Sequence, residues 1–241
     1  MSDRGLSKSE LNRYSRHLLL SEVGMDGQLR LKKARVLVVG AGGLGSPVIQ
    51  YLAAAGVGTI GIVDFDTVDL SNLQRQVIYN TDDVSASKVE RAVARARSLN
   101  PEIGVNAHDL RLSADNVLAL IGDYDLVVDG TDNFSTRYLV NDACVLAGKP
   151  NVHAAIYRFE GQVSVFSFGD GPCYRCIFPD PPPPEMVPNC AEGGVLGVIA
   201  GVVGALQATE AIKIILESGA PLAGKLLIYD ALAASFQTIN L

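Results

Sequence analysis

Residues 36–39 form a short apolar run, VLVV, and glycines follow it at positions 40, 42 and 45. An unbroken apolar run suits a parallel strand covered on both faces. G-x-G-x-x-G spacing directly after such a strand marks a turn into a helix whose N-terminus attracts phosphate. Gly40 permits the tight turn, Gly42 lets the backbone approach a phosphate, and Gly45 lets the helix pack closely on the strand. A second apolar run, 59–63, ends in Asp64, where an acid can accept hydrogen bonds from ribose hydroxyls. Strand, glycine turn, helix, strand and acid, in that order, restrict the chain to an α/β fold. The expected form is a doubly wound, Rossmann-like, mainly parallel sheet.

The remaining segments continue that plan. An amphipathic helix is expected over 7–20, and a loop containing Gly24 and Gly27 leads into the first strand. Helices are expected over 46–55, 87–98, 113–121 and 135–147, with strands over 104–107, 125–128 and 152–156. The alternation over 162–168 suits a half-exposed antiparallel strand, and strands over 225–229 and 234–239 close the chain, so antiparallel pairing belongs to the C-terminal side. The polar, aperiodic segment 67–79 and the run Asp129-Gly130-Thr131-Asp132-Asn133 both fall at carboxyl ends of strands, where doubly wound sheets bind ligands.

At 241 residues the chain suits one large α/β unit. A 48% hydrophobic and 19% charged composition belongs to a folded chain, and a net charge of −6 argues against nucleic acid as a general partner. No N-terminal leader is legible, and no membrane span is expected, since the richest apolar stretch, 193–216, contains Glu210 and Lys213 and reads as a buried helix. The four cysteines, Cys144, Cys173, Cys176 and Cys190, are too few and too unevenly placed for a secreted disulfide scaffold, which points to a reducing cytoplasm. Cys144, inside an apolar helix, reads as structural, and His17, His108 and His153 carry no metal-ligand spacing.

The first glycine turn alone would serve a nicotinamide dehydrogenase equally well. Asn72, Arg75, Lys88 and Asp132 argue otherwise, because hydride transfer has no use for a phosphate-directed set of cations and acids. A non-catalytic binding scaffold on the same fold is the other competing class. Arg13 and Asp66 are read equally as orienting groups or as partners of other charges, while Arg91 and Arg95 read as a solvated helix face.

RYSRHLLL, GAGGLGS, DFDTVDLSNLQRQ, Lys88, GTDN, EGQVSVF, CYRC and NCAEGGVLG together resemble the MoeB/ThiF family, the bacterial relatives of ubiquitin-activating enzymes. The resemblance covers nearly the whole chain. It implies adenylation of the C-terminal glycine of a small ubiquitin-fold sulfur carrier, with ATP and Mg2+, and release of pyrophosphate. Molybdopterin, thiamine and tRNA-thiolation pathways all use such enzymes, and overall similarity leans towards a molybdopterin-type carrier. A single adenylating unit is implied, with a helical arm at 1–34, a nucleotide-binding core at 35–150 and a carrier-binding, crossover region at 151–241.

Carried over by position, Asp64 holds the ribose, and Gly40, Gly42, Gly43 and Gly45 surround the phosphates. Ser71, Asn72, Leu73, Gln74, Arg75 and Lys88 complete the nucleotide site, Gln76 assists phosphate placement, Asp132 takes magnesium and Asn133 lies beside the nucleotide. Arg16 matches an arginine supplied across a homodimer, and Cys190 a residue that can link covalently to the carrier. Family members bind a structural zinc through two C-x-x-C pairs. Cys173 and Cys176 supply one pair, two of four expected ligands, so either the second pair lies on a C-terminal tail beyond Leu241, the favoured expectation, or the site has been lost.

Overall fold

A computed structural model describes residues 5–183 and 193–241. Its centre is one eight-stranded sheet in the order β3-β2-β1-β4-β5-β6-β7-β8. The strands are β1 (Arg35–Val39), β2 (Thr59–Val63), β3 (Gly104–His108), β4 (Leu126–Asp129), β5 (Asn151–Tyr157), β6 (Glu160–Phe166), β7 (Lys225–Asp230) and β8 (Ser235–Asn240). β3, β2, β1, β4 and β5 run parallel, and β6, β7 and β8 follow as antiparallel additions. The sequence-based fold class is therefore the observed one.

Chain order explains where a ligand belongs. From β1 the chain moves to β2 and β3 on one side and returns to β4 on the other, so the order reverses between β1 and β4. Crevices of doubly wound sheets open at such a reversal. Val39 and Asp129 are register partners there, which sets Gly40 and Gly130 side by side at the carboxyl edge.

β1, β2 and β4 are almost wholly buried Val, Leu and Ile, as expected for strands with helices on both faces. One face packs α4 (Gly45–Ala55), α5 (Lys88–Leu99) and the long helix α9 (Gly197–Leu216); the other packs α6 (Val117–Gly122) and α7 (Phe134–Ala147), with the short α8 (Tyr174–Ile177) against α7. α9 is long and apolar enough to cross a membrane but lies against α4, β5 and β6, with Ile199, Val203 and Ala211 fully buried.

β5 has a particular shape. Its register with β4 covers only Asn151–His153, whereas its register with β6 runs from Asn151 to Tyr157. Residues 154–157 therefore extend past the end of β4, where their register is with β6.

Several expectations are corrected. The segment with Gly24 and Gly27 is not a loop but α3 (Gly24–Lys33). Gly27 is helical because α3 approaches α9 so closely that a Cβ there would meet Leu216 Cδ2 at 2.9 Å. The helix expected over 7–20 divides into α1 (Lys8–Arg13) and α2 (Ser15–Leu18) at Tyr14, a buried residue whose hydroxyl accepts from Asn100 Nδ2 at 2.8 Å. The helix expected from 113 starts at Val117, since Asn116 Oδ1 accepts from the Ser113 N–H in a preceding turn. β6 ends at Phe166, because Ser167 turns into the left-handed region at φ 55°. Within 67–79, residues Leu70–Asn72 form a 3-10 turn capped by Asp69.

Candidate functional site

The turn after β1 is sterically closed to other residues. Gly40 has φ +90°, and a Cβ on Gly45 would overlap the Gly40 carbonyl oxygen, so the helix start is drawn tightly against the strand end. No side chain caps α4. Within its first turn Pro47 has no N–H, and the Ser46 and Val48 N–H groups already donate to the Gly42 and Leu44 carbonyls at 2.9 and 3.4 Å, so an anion is attracted by the helix dipole and the backbone of the glycine turn before it.

Around this turn lies a pocket whose lining includes Gly40, Gly42, Gly43, Asp64, Arg75, Lys88, Asp132 and Asn133. All eight were expected from the sequence. Asp64 Oδ2 accepts from the Ala41 N–H at 2.8 Å and Oδ1 from the Asp66 N–H at 2.9 Å, which joins the two strand ends. Burial raises the Asp64 carboxyl above its usual range, against the pull of those N–H donors and of Lys88. Lys88 opens α5, nearly buried, and its Nζ donates to Asp66 Oδ2 at 2.9 Å. Beneath them the Tyr79 hydroxyl donates to Ala41 O at 2.7 Å, and burial raises its pKa so that it keeps its proton and stays a donor.

Asp132 is exposed to the pocket and makes no hydrogen bond or ion pair with the described residues. Asn133 Oδ1 caps α7 by accepting from the Thr136 N–H at 2.9 Å. Gln76 is buried beside Gly42, and its Oε1 has no partner among the described residues, an unmet acceptor in the pocket wall.

Other expected residues stand elsewhere. Gly45 packs against Gly40 behind the turn, and Ser71, Asn72, Leu73 and Gln74 are not among the lining residues. Ser71 and Asn72 bond to Asp69 within their own turn, and the Ser71 carbonyl accepts from Arg75 Nη1 at 3.3 Å. Arg16 is exposed on α2, outside the pocket. Arg13 Nη1 donates to Leu99 O at 3.0 Å, and His17 Nδ1 lies 3.0 Å from Gln28 Oε1. Cys190 lies outside the described residues.

Sequence reasoning passed over Phe65, Arg111 and Arg137. Arg111 lies over the Phe65 ring at 5.4 Å, at one side of the pocket. Arg137 Nη2 donates to Thr131 O at 3.2 Å, and its buried Nε has no partner among the described residues. Its position four residues after the helix-capping Asn133 was the available signal, since that spacing returns a side chain to the same helix face.

A second cavity of about 900 Å3 adjoins the first. Asp132, Asn133, Arg137 and Ile156 border both, and the overhanging part of β5 continues along the groove with Tyr157. The groove is mostly apolar, with Phe166, Tyr174 and Phe178 in its wall.

Carboxylate oxygen without a nitrogen or sulfur cluster suits a hard cation shared with phosphates, and Asp132 supplies it, so the pocket fits Mg2+ carried by a nucleotide. Zinc is different. Cys173 Sγ lies 3.5 Å from Cys176 Sγ, but no group of three or more His, Cys, Asp or Glu side chains that could hold a metal occurs among the described residues. Burial pushes the Cys173 thiol up, but hydrogen bonds from Cys176 and nearby N–H groups outweigh it and hold the thiol below its usual value. The two sulfurs alone do not fit a four-ligand site.

Fold and pocket define a doubly wound α/β protein arranged around an anionic nucleotide. Residues 14–241 match the ThiF family, and the chain belongs to that family. It is 60% identical over 240 residues to the probable adenylyltransferase/sulfurtransferase MoeZ of Mycobacterium tuberculosis, covering 98% of this chain and 61% of that protein. It is 57% identical over 239 residues to the sulfur carrier protein adenylyltransferase of Thermus thermophilus, covering 97% of this chain and 88% of that one. The chain thus spans about three fifths of the length of the MoeZ relative. Among solved structures it resembles E. coli MccB with ATP, with a TM-score of 0.82 and 26% identity over 98% of this chain and 73% of that one.

Proposed function

We propose that this chain transfers the adenylyl group of ATP to the C-terminal carboxylate of a ubiquitin-like sulfur carrier and releases pyrophosphate. The observation that carries this reading is the shared border of two cavities: a phosphate-directed pocket with Arg75, Lys88 and Asp132 meets an apolar groove at Asp132, Asn133, Arg137 and Ile156. A carboxylate entering by the groove would reach a nucleotide held by the pocket at that border. The names of the Thermus thermophilus and Mycobacterium tuberculosis relatives support the same reaction.

The chemistry asks more of electrostatics than of proton transfer. A carboxylate is already ionised at neutral pH, so no general base is needed for its attack on the α-phosphorus. Two anions must instead be brought together and the departing pyrophosphate neutralised. The glycine turn at the start of α4 receives the phosphates, Arg75 and Lys88 balance their charge, and Asp64 accepts from the ribose. Asp132 would hold a Mg2+ ion, which would supply further charge neutralisation. Arg137 stands where the incoming carboxylate would arrive and has a donor to spare.

The same reading extends to the assembly. Arg16, exposed and outside its own pocket, serves the pocket of a second copy in a homodimer. Cys173 and Cys176 provide two ligands of a structural zinc whose other ligands lie outside the described residues. The chain acts as one adenylating unit in the cytoplasm, where thiols such as Cys144, Cys173 and Cys176 stay reduced.

Carrier-dependent exchange of labelled pyrophosphate into ATP tests the reaction, using a panel of ubiquitin-fold carriers with free Gly-Gly tails. Exchange with one carrier establishes the reaction and its partner. ATP binding without exchange for every carrier supports a binding scaffold instead.

A further inference from the structure

Asp129 ends β4 with no exposed surface. Its Oδ1 accepts from the Thr131 N–H at 3.0 Å and from the Thr131 hydroxyl at 2.6 Å. Its Oδ2 lies 3.0 Å from Nδ1 of His153, its register partner on β5. Gln207 of α9 donates to the Asp129 carbonyl at 2.8 Å and to the Val152 carbonyl at 3.1 Å, tying the two strand ends together from below.

A carboxylate without solvent needs every donor it has. Thr131 can satisfy one oxygen only, and His153 satisfies the other. Burial holds the imidazole pKa below its usual value in spite of the neighbouring Asp129, so the ring is neutral, and its contact with a carboxylate places the single proton on Nδ1. The ring is held between Phe166 and Tyr174, with centroids at 5.7 and 4.9 Å.

With Oδ2 engaged, the Asp129 side chain has one orientation, and Oδ1 clamps Thr131. Thr131 in turn gives its carbonyl to Arg137, and the next residue is Asp132. We propose that His153 is a positioning residue for adenylyl transfer: by holding Asp129 against Thr131 it sets the 130–133 turn that presents Asp132 and Arg137 to the reacting groups. This rests on the adenylation reading above. His153 touches neither nucleotide nor metal in this scheme and acts only through Asp129.

Two variants of the full chain separate positioning from packing. His153→Phe keeps a ring between Phe166 and Tyr174 but removes the donor; His153→Asn keeps an N–H donor near the Nδ1 position but removes the ring. Positioning predicts that Phe lowers the exchange kcat about 10- to 100-fold and raises the magnesium needed for half-maximal rate, the range typical when a supporting hydrogen bond to a site is lost. Asn then restores most of both. A packing role predicts the reverse order, and equal rates or the reverse order would overturn the proposal.

If the natural chain exchanges with no carrier, the adenylation reading fails separately, and magnesium-dependent ATP binding by calorimetry takes over. Weaker binding in Phe than in Asn supports positioning; equal binding, or no magnesium-dependent binding by the natural chain, overturns it. If Phe does not fold, nitrogen NMR of His153 in the natural chain decides. A neutral ring protonated on Nδ1 supports the proposal, and one protonated on Nε2 or on both nitrogens overturns it.

Discussion

Lys88 Nζ donates to Asp66 Oδ2 at 2.9 Å, but the two side chains differ sharply in exposure, 8% for the lysine and 51% for the aspartate. The cation is fixed inside the pocket wall while its partner remains in water. An incoming phosphate can therefore compete for Lys88 without burying Asp66. Lys88→Met is expected to lower exchange by roughly 100-fold, as for loss of one preorganised charge at a reacting group. Asp66→Asn should cost less than about 10-fold, since Asp66 is half in water and its charge is screened there. Steady-state kinetics of both variants check the order, and a larger loss in Asp66→Asn would contradict it.

Asp132 has no partner among the described residues. Asp132→Asn should leave the melting temperature within about 2 °C of the natural chain, because exposed substitutions away from networks are close to neutral. Exchange should fall at least ~100-fold. Calorimetric melting and pyrophosphate exchange on one preparation give both quantities, and near-native exchange would remove the metal role.

Arg16 and Asp132 belong to different subunits' contributions in the proposed dimer. Arg16→Ala and Asp132→Asn should each be inactive alone. Mixed under conditions that allow subunit exchange, they should recover about one quarter of the natural rate, the value for random pairing in which half of the dimers carry one intact site of two. No recovery in verified mixed dimers would place Arg16 in its own chain's site or outside catalysis.

Acid stability follows from two imidazoles, His153 buried and His108 half-buried. His108, 2.7 Å from the Tyr124 hydroxyl, and His153 are both held below the ordinary histidine value of 6.5, in each case chiefly by burial. On acidification the unfolded chain binds these protons first, so the folded state loses stability as pH falls below 6.5 and is indifferent to them above it. Melting temperature should thus be flat from about pH 8 to 7 and fall towards pH 5.5. The double variant His108→Asn/His153→Asn should show a shallower fall over the same window.

The order of elements was legible because strands buried on both faces must be continuously apolar, as β1 and β2 are, and because glycines at 40, 42 and 45 leave few alternatives for the turn. α3 was not legible: Gly24 and Gly27 read as loop residues until the approach of Leu216, nearly two hundred positions later, accounts for the second. In the candidate site, Asp64, Arg75, Lys88, Asp132 and Asn133 share a pocket, as their strand-end positions suggested. Arg137, Phe65 and Arg111 were missed because each looks like an ordinary residue on its own element, and only packing shows what they face. The pairing of Asp129 with His153 depends on strand register, which a single sequence does not print.

The part of β5 that outruns β4 sets a ruler between two chambers. Residues 154–157 rise from the nucleotide end and pass along the groove, so one rigid strand spans the route by which two reactants would converge. Each residue of an extended chain covers about 3.3 Å. Trimming or lengthening this overhang by two residues, which keeps the following side chains on their own faces, would change the distance between the chambers by about 7 Å and would turn a well-matched partner into one whose end stops short of the phosphorus or overruns it.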